Sequence, residues 1–337
     1  MKAVLLDRPG PLETGPLELS DMPAPEPGIG EILIQVSACG VCRSNLHMIV
    51  GDWLDGGVPA FTPIVPGHEV VGAVTAVGPG VDHLQVGQRV GVQPLWDTCG
   101  ACRHCLSGAE QRCQSKQITG ESVHGGYAEL MLAKAAHAHP IPEALDDVEA
   151  APLFCPGITA YGAVAKANLT PSKTVAVFGV GGVGHMALQF AALTGASTIA
   201  VTRSALRREL SSELGADEVV DSSAGDAARR LLDMGGVDAS LVFAPSDAVV
   251  QQALEATRPG GTVVIGVNAQ IGAFPFADEK TVVGSLLGNR QMMREVLDIA
   301  AAGRVKVIAA AHPLADAAGA LARLEAGEVR GRLVLVP

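Results

Sequence analysis

Positive charge is scarce in this chain of 337 residues. It has 24 Lys and Arg against 35 Asp and Glu, so its formal net charge is −11 with neutral histidines. It also lacks a run of Lys and Arg that could neutralise a phosphate backbone, as nucleic-acid binding requires. We therefore expect no nucleic-acid partner.

Long hydrophobic runs are absent as well. No stretch of about 18 uninterrupted apolar residues occurs, so we expect no membrane span and no membrane partner. The apolar run at the N-terminus stops at Asp7 and Arg8, too early for the hydrophobic region of a signal peptide. Hydrophobic residues make up 48% of the chain and charged residues 18%, a composition that excludes disorder as the main state. These features predict a cytoplasmic globular protein of about two domains.

An even set of cysteines, the usual mark of a disulfide framework, is lacking too. The count is seven, which together with the missing export signal argues against disulfides. All seven lie in the first half of the chain: Cys39, Cys42, Cys99, Cys102, Cys105, Cys113 and Cys155. The cysteines therefore need another explanation, and metal binding is the strongest one.

Four of the cysteines have the spacing of a closed metal site. Cys99, Cys102 and Cys105 are separated by two-residue gaps, and Cys113 follows them. Four thiolates in one loop suit tetrahedral structural zinc. An iron–sulfur cluster fits less well, because Cys113 comes eight positions after Cys105 and is followed by Gln rather than Pro.

A second, open metal site is indicated by Cys42, His68 and Cys155. A catalytic zinc keeps three protein ligands and one free position, and these residues supply a Cys₂His set. Each of them alone could be an ordinary buried cysteine or a histidine with satisfied hydrogen bonds. Cys39 is expected to be a small buried residue of the core.

The two halves of the chain differ in their hydrophobic pattern. Up to about residue 150, short apolar segments alternate with Gly and Pro, as at 32–36, 70–77, 90–92 and 127–132, which predicts a barrel-like β domain. From about residue 170, buried strands alternate with helical segments, which predicts a doubly wound parallel sheet. A final strand is predicted at 332–336, whereas the alanines at 309–311 are interpreted as plain packing residues.

A glycine loop follows the first strand of the second half and opens a helix. Its residues are Gly179, Val180, Gly181, Gly182, Val183 and Gly184. In such a loop the first glycine permits the turn, the second lets the backbone approach a pyrophosphate, and the third allows close helix–strand packing. The loop therefore predicts dinucleotide binding.

The acid that would bind the ribose of NAD is missing. No Asp or Glu occurs between Gly184 and Glu209, and the expected place carries Thr202, Arg203 and Ser204, with Arg207 one turn on. Arginine can pair with a 2′-phosphate through charge-assisted hydrogen bonds, and serine can add one more. NADP is therefore favoured over NAD, although these arginines could also be a solvated helix face.

Taken together, these residues resemble the zinc-containing alcohol dehydrogenases of the medium-chain dehydrogenase/reductase superfamily over the whole chain. Besides the metal motifs and the glycine loop, three segments carry the resemblance: Cys39-Gly-Val-Cys42-Arg-Ser-Asn-Leu-His47, His124-Gly-Gly-Tyr-Ala-Glu129 and Gly284-Ser-Leu-Leu-Gly-Asn-Arg290. The resemblance implies a GroES-like β-barrel catalytic domain at 1–156 with two zinc sites. It also implies a Rossmann cofactor domain at 157–289 and a return to the catalytic domain at 290–337.

The resemblance also implies residue roles. Ser44 and His47 would pass the alcohol proton outward, Glu69 would lie behind the catalytic zinc, and Thr159 would lie near the nicotinamide. Arg43 would contact the pyrophosphate, Arg290 would belong to the cofactor site, and Trp53 and Phe154 would line the substrate pocket. The implied reaction interconverts small alcohols with aldehydes or ketones, in a homodimer or homotetramer.

Two positions depart from the family pattern. Asn45 stands where the family usually has an Asp that helps to hold a zinc ligand, which predicts weaker metal retention or altered acidity of zinc-bound water. Pro94 stands where many relatives have a pocket Trp, which predicts a roomier pocket. The same motifs leave two alternative functions: a zinc-free quinone or enoyl reductase of the same fold, and a zinc- or redox-sensing nucleotide-binding protein.

Overall fold

The computed structural model describes residues 1–337, which divide into two compact units. The first unit consists of Met1–Cys155, Asn289–Ala301 and Val307–Pro337, and the second consists of Pro156–Gly288 and Ala302–Lys306. The chain therefore leaves the first unit and returns to it twice. No helix is both long and apolar enough to cross a membrane.

The chain forms 17 strands and ten helices. The strands are β1 (Lys2–Leu6), β2 (Leu17–Asp21), β3 (Glu31–Gly40), β4 (Val70–Val77), β5 (Arg89–Val92), β6 (Leu95–Asp97), β7 (Gln117–Ile118), β8 (Leu130–Lys134), β9 (Ala138–Pro140), β10 (Thr174–Phe178), β11 (Ser197–Thr202), β12 (Glu218–Asp221), β13 (Val237–Val242), β14 (Thr257–Ile265), β15 (Thr281–Gly284), β16 (Ala309–Pro313) and β17 (Arg332–Val336). The helices are α1 (Arg43–Val50), α2 (Arg103–Leu106), α3 (Asp147–Ala150), α4 (Pro156–Lys166), α5 (Gly184–Ala192), α6 (Ala205–Glu213), α7 (Ala227–Asp233), α8 (Asp247–Ala256), α9 (Arg290–Ala301) and α10 (Ala317–Glu325).

The first unit is built around a seven-stranded sheet. Its strand order is β16-β17-β3-β4-β5-β9, and β8 pairs with one end of β3. All pairs are antiparallel except β16 with β17. Ile32, Ile34 and Val36 alternate along β3 as buried residues, which is the period expected of a strand with one face in the core. The predicted β-rich first domain is confirmed.

The second unit contains a six-stranded parallel sheet in the order β12-β11-β10-β13-β14-β15. Val175–Phe178 of β10 are all buried, as expected for a central strand covered on both faces. The order reverses at β10, so the carboxyl ends of β10 and its neighbours form the crevice where doubly wound sheets bind ligands. The predicted doubly wound parallel sheet is confirmed.

Two elements differ from their predicted positions. The alanines at 309–311, interpreted as packing residues, belong to strand β16 at the edge of the first sheet, paired with β17. Alanine has little intrinsic preference for strands, so only the pairing with the apolar β17 reveals this strand. The strand predicted at 127–132 is shifted to Leu130–Lys134, because Tyr127 instead donates its backbone N–H to Pro66.

Candidate functional site

Three segments of the first unit converge on one buried cluster of metal-ligand types. Cys42 immediately precedes helix α1, His68 and Glu69 immediately precede strand β4, and Cys155 ends the turn before the second unit begins. The ligand atoms of these four residues all lie within 4.8 Å of one another. The structure thus brings together the three predicted ligands of the open site.

The geometry of this cluster fits a zinc ion. The Sγ atoms of Cys42 and Cys155 are 3.7 Å apart. Two thiolates at zinc–sulfur distance in a tetrahedron lie about 3.8 Å apart, by the geometry of a 2.3 Å bond. His68 Nε2 is buried and has no hydrogen-bond partner in the protein. Because an orphaned buried nitrogen is costly, a metal ion is the partner that the cluster lacks.

Glu69 is held away from simple metal ligation by a buried cation. Arg332, the first residue of β17, donates from Nη2 to Glu69 Oε1 in a short contact and from Nε to Oε2 at 3.1 Å. Both side chains are almost completely buried. This bidentate pair occupies both carboxylate oxygens of Glu69, and it keeps a positive charge near the two thiols.

Titration of the cluster follows from these contacts. Burial raises the pKa of Glu69 to about 7 in spite of the opposing effect of Arg332. The hydrogen bond from the Cys155 thiol and the charge of Arg332 hold the pKa of Cys42 well below its usual range. The site is therefore prepared to hold a thiolate, which is the form that binds metals.

Helix α1 carries the predicted proton-relay residues on one face. Ser44 Oγ lies 3.3 Å from Cys42 Sγ, at the edge of the cluster. His47 comes one turn later and is partly exposed, so the two side chains lie on the same side of the helix. His47 Nδ1 hydrogen-bonds Asp52 Oδ2 at 2.6 Å, and its ring stacks on Trp53 with 5.5 Å between the ring centroids.

The four-cysteine loop also forms a tight cluster, made by Cys99, Cys102, Cys105 and Cys113. Its Sγ–Sγ distances are 3.9 Å for Cys99 and Cys105, 3.5 Å for Cys102 and Cys105, and 3.6 Å for Cys99 and Cys113. These separations match four ligands around one tetrahedral zinc, which places sulfurs about 3.8 Å apart. Hydrogen bonds from the backbone of Ala101 and Cys102 lower the pKa of Cys99 to about 6.

The glycine loop of the second unit has the backbone that a pyrophosphate site requires. Gly179 follows β10 with φ +92°, a left-handed conformation that favours glycine. A Cβ on Gly184, the first residue of α5, would lie 2.1 Å from the carbonyl oxygen of Gly179. By contrast, a Cβ on Gly181 would meet nothing within 4 Å, so open space lies in front of this residue.

The residues predicted to select the cofactor lie at the carboxyl end of β11. Thr202 is the last residue of that strand and is in register with Asp221 of β12. Arg208 pairs with Asp221 at 3.0 Å and donates to the carbonyl oxygen of Arg203 at 2.8 Å. The one acid at this edge is therefore paired, and Arg203 is left with an exposed side chain.

The remaining predicted site residues have structural contacts of their own. Arg290 hydrogen-bonds Glu110 within the four-cysteine loop region, through its backbone N–H and through Nε. Arg43 donates to the carbonyl oxygen of Leu324 at 3.1 Å. Phe154 is fully buried, so in this conformation its ring offers no surface to a ligand. Thr159 lies in α4 of the second unit.

Three further residues contact the predicted site residues, and none of them belongs to a predicted motif. Arg332 begins the predicted terminal strand, and a charge at the start of an otherwise apolar strand is the sequence signal for the partner of a buried acid. Asp52 directly precedes Trp53 in the sequence, and nothing in the sequence pairs it with His47. Glu121 belongs to none of the motifs, and only the fold places its carboxylate near His68.

Comparisons with known proteins give two family matches. The model described as "Alcohol dehydrogenase GroES-like domain" matches residues 28–143, and the model described as "Zinc-binding dehydrogenase" matches residues 182–302. An alcohol dehydrogenase of Geobacillus stearothermophilus is 40% identical over 326 residues, which cover 95% of this chain and 96% of that protein.

Solved structures show the same similarity along the whole chain. The alcohol dehydrogenase of the archaeon Aeropyrum pernix superposes with a TM-score of 0.92 at 33% identity, covering 100% of both chains. A thermostable alcohol dehydrogenase of Pyrobaculum aerophilum, with cobalt and zinc bound, gives a TM-score of 0.89 at 30% identity and covers 100% of this chain and 99% of its own.

Proposed function

Because this chain belongs to the alcohol dehydrogenases of the medium-chain dehydrogenase/reductase superfamily, we propose that it is a zinc-dependent enzyme that prefers NADP. It interconverts alcohols with aldehydes or ketones. The observation that carries the proposal is the buried Cys42–His68–Cys155 cluster, whose His68 Nε2 lacks a partner and whose edge carries the Ser44 hydroxyl. Two zinc ions are proposed for each chain, one in this cluster and one in the four-cysteine loop.

The residues of the first unit have defined parts in this reaction. When bound, zinc supplies a Lewis acid that acidifies an alcohol hydroxyl, and the nicotinamide accepts the hydride. Ser44 Oγ accepts the hydroxyl proton through a hydrogen bond, and His47 receives it at the partly exposed end of the relay. Asp52 accepts a hydrogen bond from His47 Nδ1, which fixes the ring and leaves Nε2 to exchange the proton.

The second unit supports the choice of cofactor. The open space at Gly181 accepts the pyrophosphate. The 2′-phosphate or 2′-hydroxyl of the cofactor would be bound by the residues that follow β11, which are Thr202, Arg203, Ser204 and Arg207. Asp221 is the nearest acid in the sheet register, and its charge is balanced by Arg208. A phosphate at this edge would therefore meet the exposed positive charge of Arg203 without an unpaired acid beside it.

Substrate, assembly and location are proposed from the resemblance. Trp53 stacks on His47 and supports a mostly apolar pocket, which suits short aliphatic or benzylic alcohols. Thr159 is proposed near the nicotinamide, with Arg43 and Arg290 in the cofactor site. A homodimer or homotetramer in the cytoplasm is proposed.

The decisive experiment combines metal analysis with cofactor reduction. Purified protein is expected to hold about two zinc ions per chain, and to reduce NADP faster than NAD with a panel of primary, secondary and benzylic alcohols. Arg203→Ala should raise the KM for NADP by about tenfold, equivalent to about 1.4 kcal/mol, and change that for NAD little. Ser44→Ala should lower kcat by about 100-fold, the usual contribution of a positioned proton-transfer group.

Three outcomes would contradict the proposal. Turnover that is unaffected by removal of zinc would favour a zinc-free reductase of the same fold. Binding of NADPH without turnover of any alcohol or carbonyl compound would favour a sensor. An unchanged KM for NADP in Arg203→Ala would show that the cofactor choice is made elsewhere.

A further inference from the structure

His68 has two ring nitrogens with different surroundings. Nε2 points into the metal-ligand cluster and has no partner in the protein. Nδ1 faces Asn45 Nδ2 at 3.4 Å and Glu121 Oε1 at 3.9 Å. A histidine that binds a metal through Nε2 carries its proton on Nδ1, and that proton needs an acceptor.

Asn45 is badly oriented to be the acceptor. Its Oδ1 accepts a hydrogen bond from the Tyr127 hydroxyl at 3.4 Å, the one hydrogen bond that this hydroxyl donates. Tyr127 and Asn45 are both fully buried, so turning the amide over would leave the hydroxyl proton of Tyr127 without an acceptor. With Tyr127 satisfied, Asn45 presents its NH₂ group to His68, and an NH₂ group cannot accept the proton on Nδ1.

Glu121 is the remaining acceptor on this side of the ring. Its side chain is only 16% exposed, although a carboxylate away from water is costly unless a charge or a donor compensates for it. The backbone around it is fixed: Glu121 N donates to Ile118 at 3.2 Å, and Ala60 N donates to the carbonyl oxygen of Glu121 at 2.9 Å. These backbone hydrogen bonds fix the main chain from which the Glu121 side chain reaches His68.

We propose that Glu121 is the positioning residue that accepts the Nδ1 proton of His68 and so replaces the aspartate that Asn45 lacks. The inference rests on the proposed zinc site. At 3.9 Å the contact is longer than a hydrogen bond, and a small rotation of the Glu121 side chain, or one bridging water, closes it. The Glu121 carboxylate comes from a different segment of the chain than residue 45, but it would support the same nitrogen, Nδ1 of His68.

The inference reverses one expectation from the sequence. Asn45 alone predicted weaker metal retention, which Asn45→Asp should improve. With Glu121 in place, His68 already has its carboxylate, so Asn45→Asp should improve zinc retention by less than about threefold. Glu121→Gln should speed the loss of one zinc by about 10–100-fold, the usual effect of removing an outer-shell partner.

The test follows zinc loss from the zinc-loaded protein during dialysis against EDTA, measured as zinc per chain over time. The variants are Glu121→Gln, Asn45→Asp and the double variant Glu121→Gln/Asn45→Asp, each measured beside wild type. The matched control is Glu143→Gln, which removes one exposed carboxylate from the same unit. Glu143→Gln should behave as wild type. The double variant should recover most of the retention lost in Glu121→Gln, because the aspartate restores an acceptor for Nδ1.

Each other outcome overturns the inference. Equal retention in Glu121→Gln and wild type would show that the carboxylate does not support His68. Loss of both zinc ions at one rate in Glu121→Gln, without recovery in the double variant, would mean that Glu121 acts on the fold as a whole. A wild-type chain that never holds more than one zinc would overturn the proposed catalytic zinc site and this inference with it, a result distinct from the first two.

Discussion

At the scale of single residues, the open metal site depends on charges that are buried in pairs. Glu69 immediately precedes strand β4 and Arg332 begins strand β17, far apart in the sequence, yet they form a bidentate contact inside the first unit. Removing one member of such a pair leaves the other as an uncompensated buried charge, whereas removing both can be almost neutral. A single and a double variant of the pair should therefore differ in stability.

We predict that Arg332→Met lowers the free energy of unfolding by about 3–5 kcal/mol, because the buried carboxylate of Glu69 loses the cation with which it is paired. Urea denaturation followed by circular dichroism measures the change. The double variant Arg332→Met/Glu69→Gln serves as the control and should recover part of the loss. If the double variant is less stable than Arg332→Met, the pair does not behave as a compensated buried ion pair.

At the scale of elements, the glycine loop needs glycine for two different reasons at two of its positions. Gly184 has to be small because α5 begins against the carbonyl oxygen of Gly179, while Gly181 has free space in front of it. The first demand comes from packing, and the second comes from the ligand. Alanine at the two positions should therefore have different consequences.

Gly184→Ala should destabilise the protein by about 1–3 kcal/mol, because the new methyl group collides with backbone that cannot yield. Gly181→Ala should leave the unfolding free energy almost unchanged but weaken NADPH binding by about tenfold, equivalent to about 1.4 kcal/mol, since the methyl group occupies the approach of the pyrophosphate. Thermal unfolding and NADPH fluorescence titration measure the two effects. Equal destabilisation by both variants would contradict the division of roles.

Elements with a strong local pattern could be predicted from the sequence, and elements fixed by distant partners could not. Strands β4 and β17 begin and end where their apolar runs predict. Strand β16 has an alanine-rich sequence and exists because β17 lies beside it. The same distinction holds at the site: the cysteines have a spacing, whereas Arg332 and Glu121 acquire their roles only when the chain folds.

At the scale of the whole molecule, the seven cysteines fall into three classes by environment. Six belong to the two metal-ligand clusters, and Cys39 is buried outside them. Of the six, Cys99 is exposed and Cys102 and Cys105 are partly exposed, while Cys42, Cys113 and Cys155 are buried. Because a thiol reagent reacts only with thiols that it can reach, this distribution of exposure predicts how the metal-free and the metal-loaded protein differ.

Titration of the native, metal-free protein with a chromogenic disulfide reagent should show three fast thiols, from Cys99, Cys102 and Cys105, and four slow ones. Reloading with two zinc ions per chain should suppress the fast phase, because all three fast thiols would then be ligands. Cys99→Ser is the matched control and should remove one fast thiol from the metal-free protein without changing the slow phase. A fast phase that persists after zinc loading would show that the four-cysteine loop does not bind the ion, and seven fast thiols in the metal-free protein would show that zinc is required for the first unit to fold.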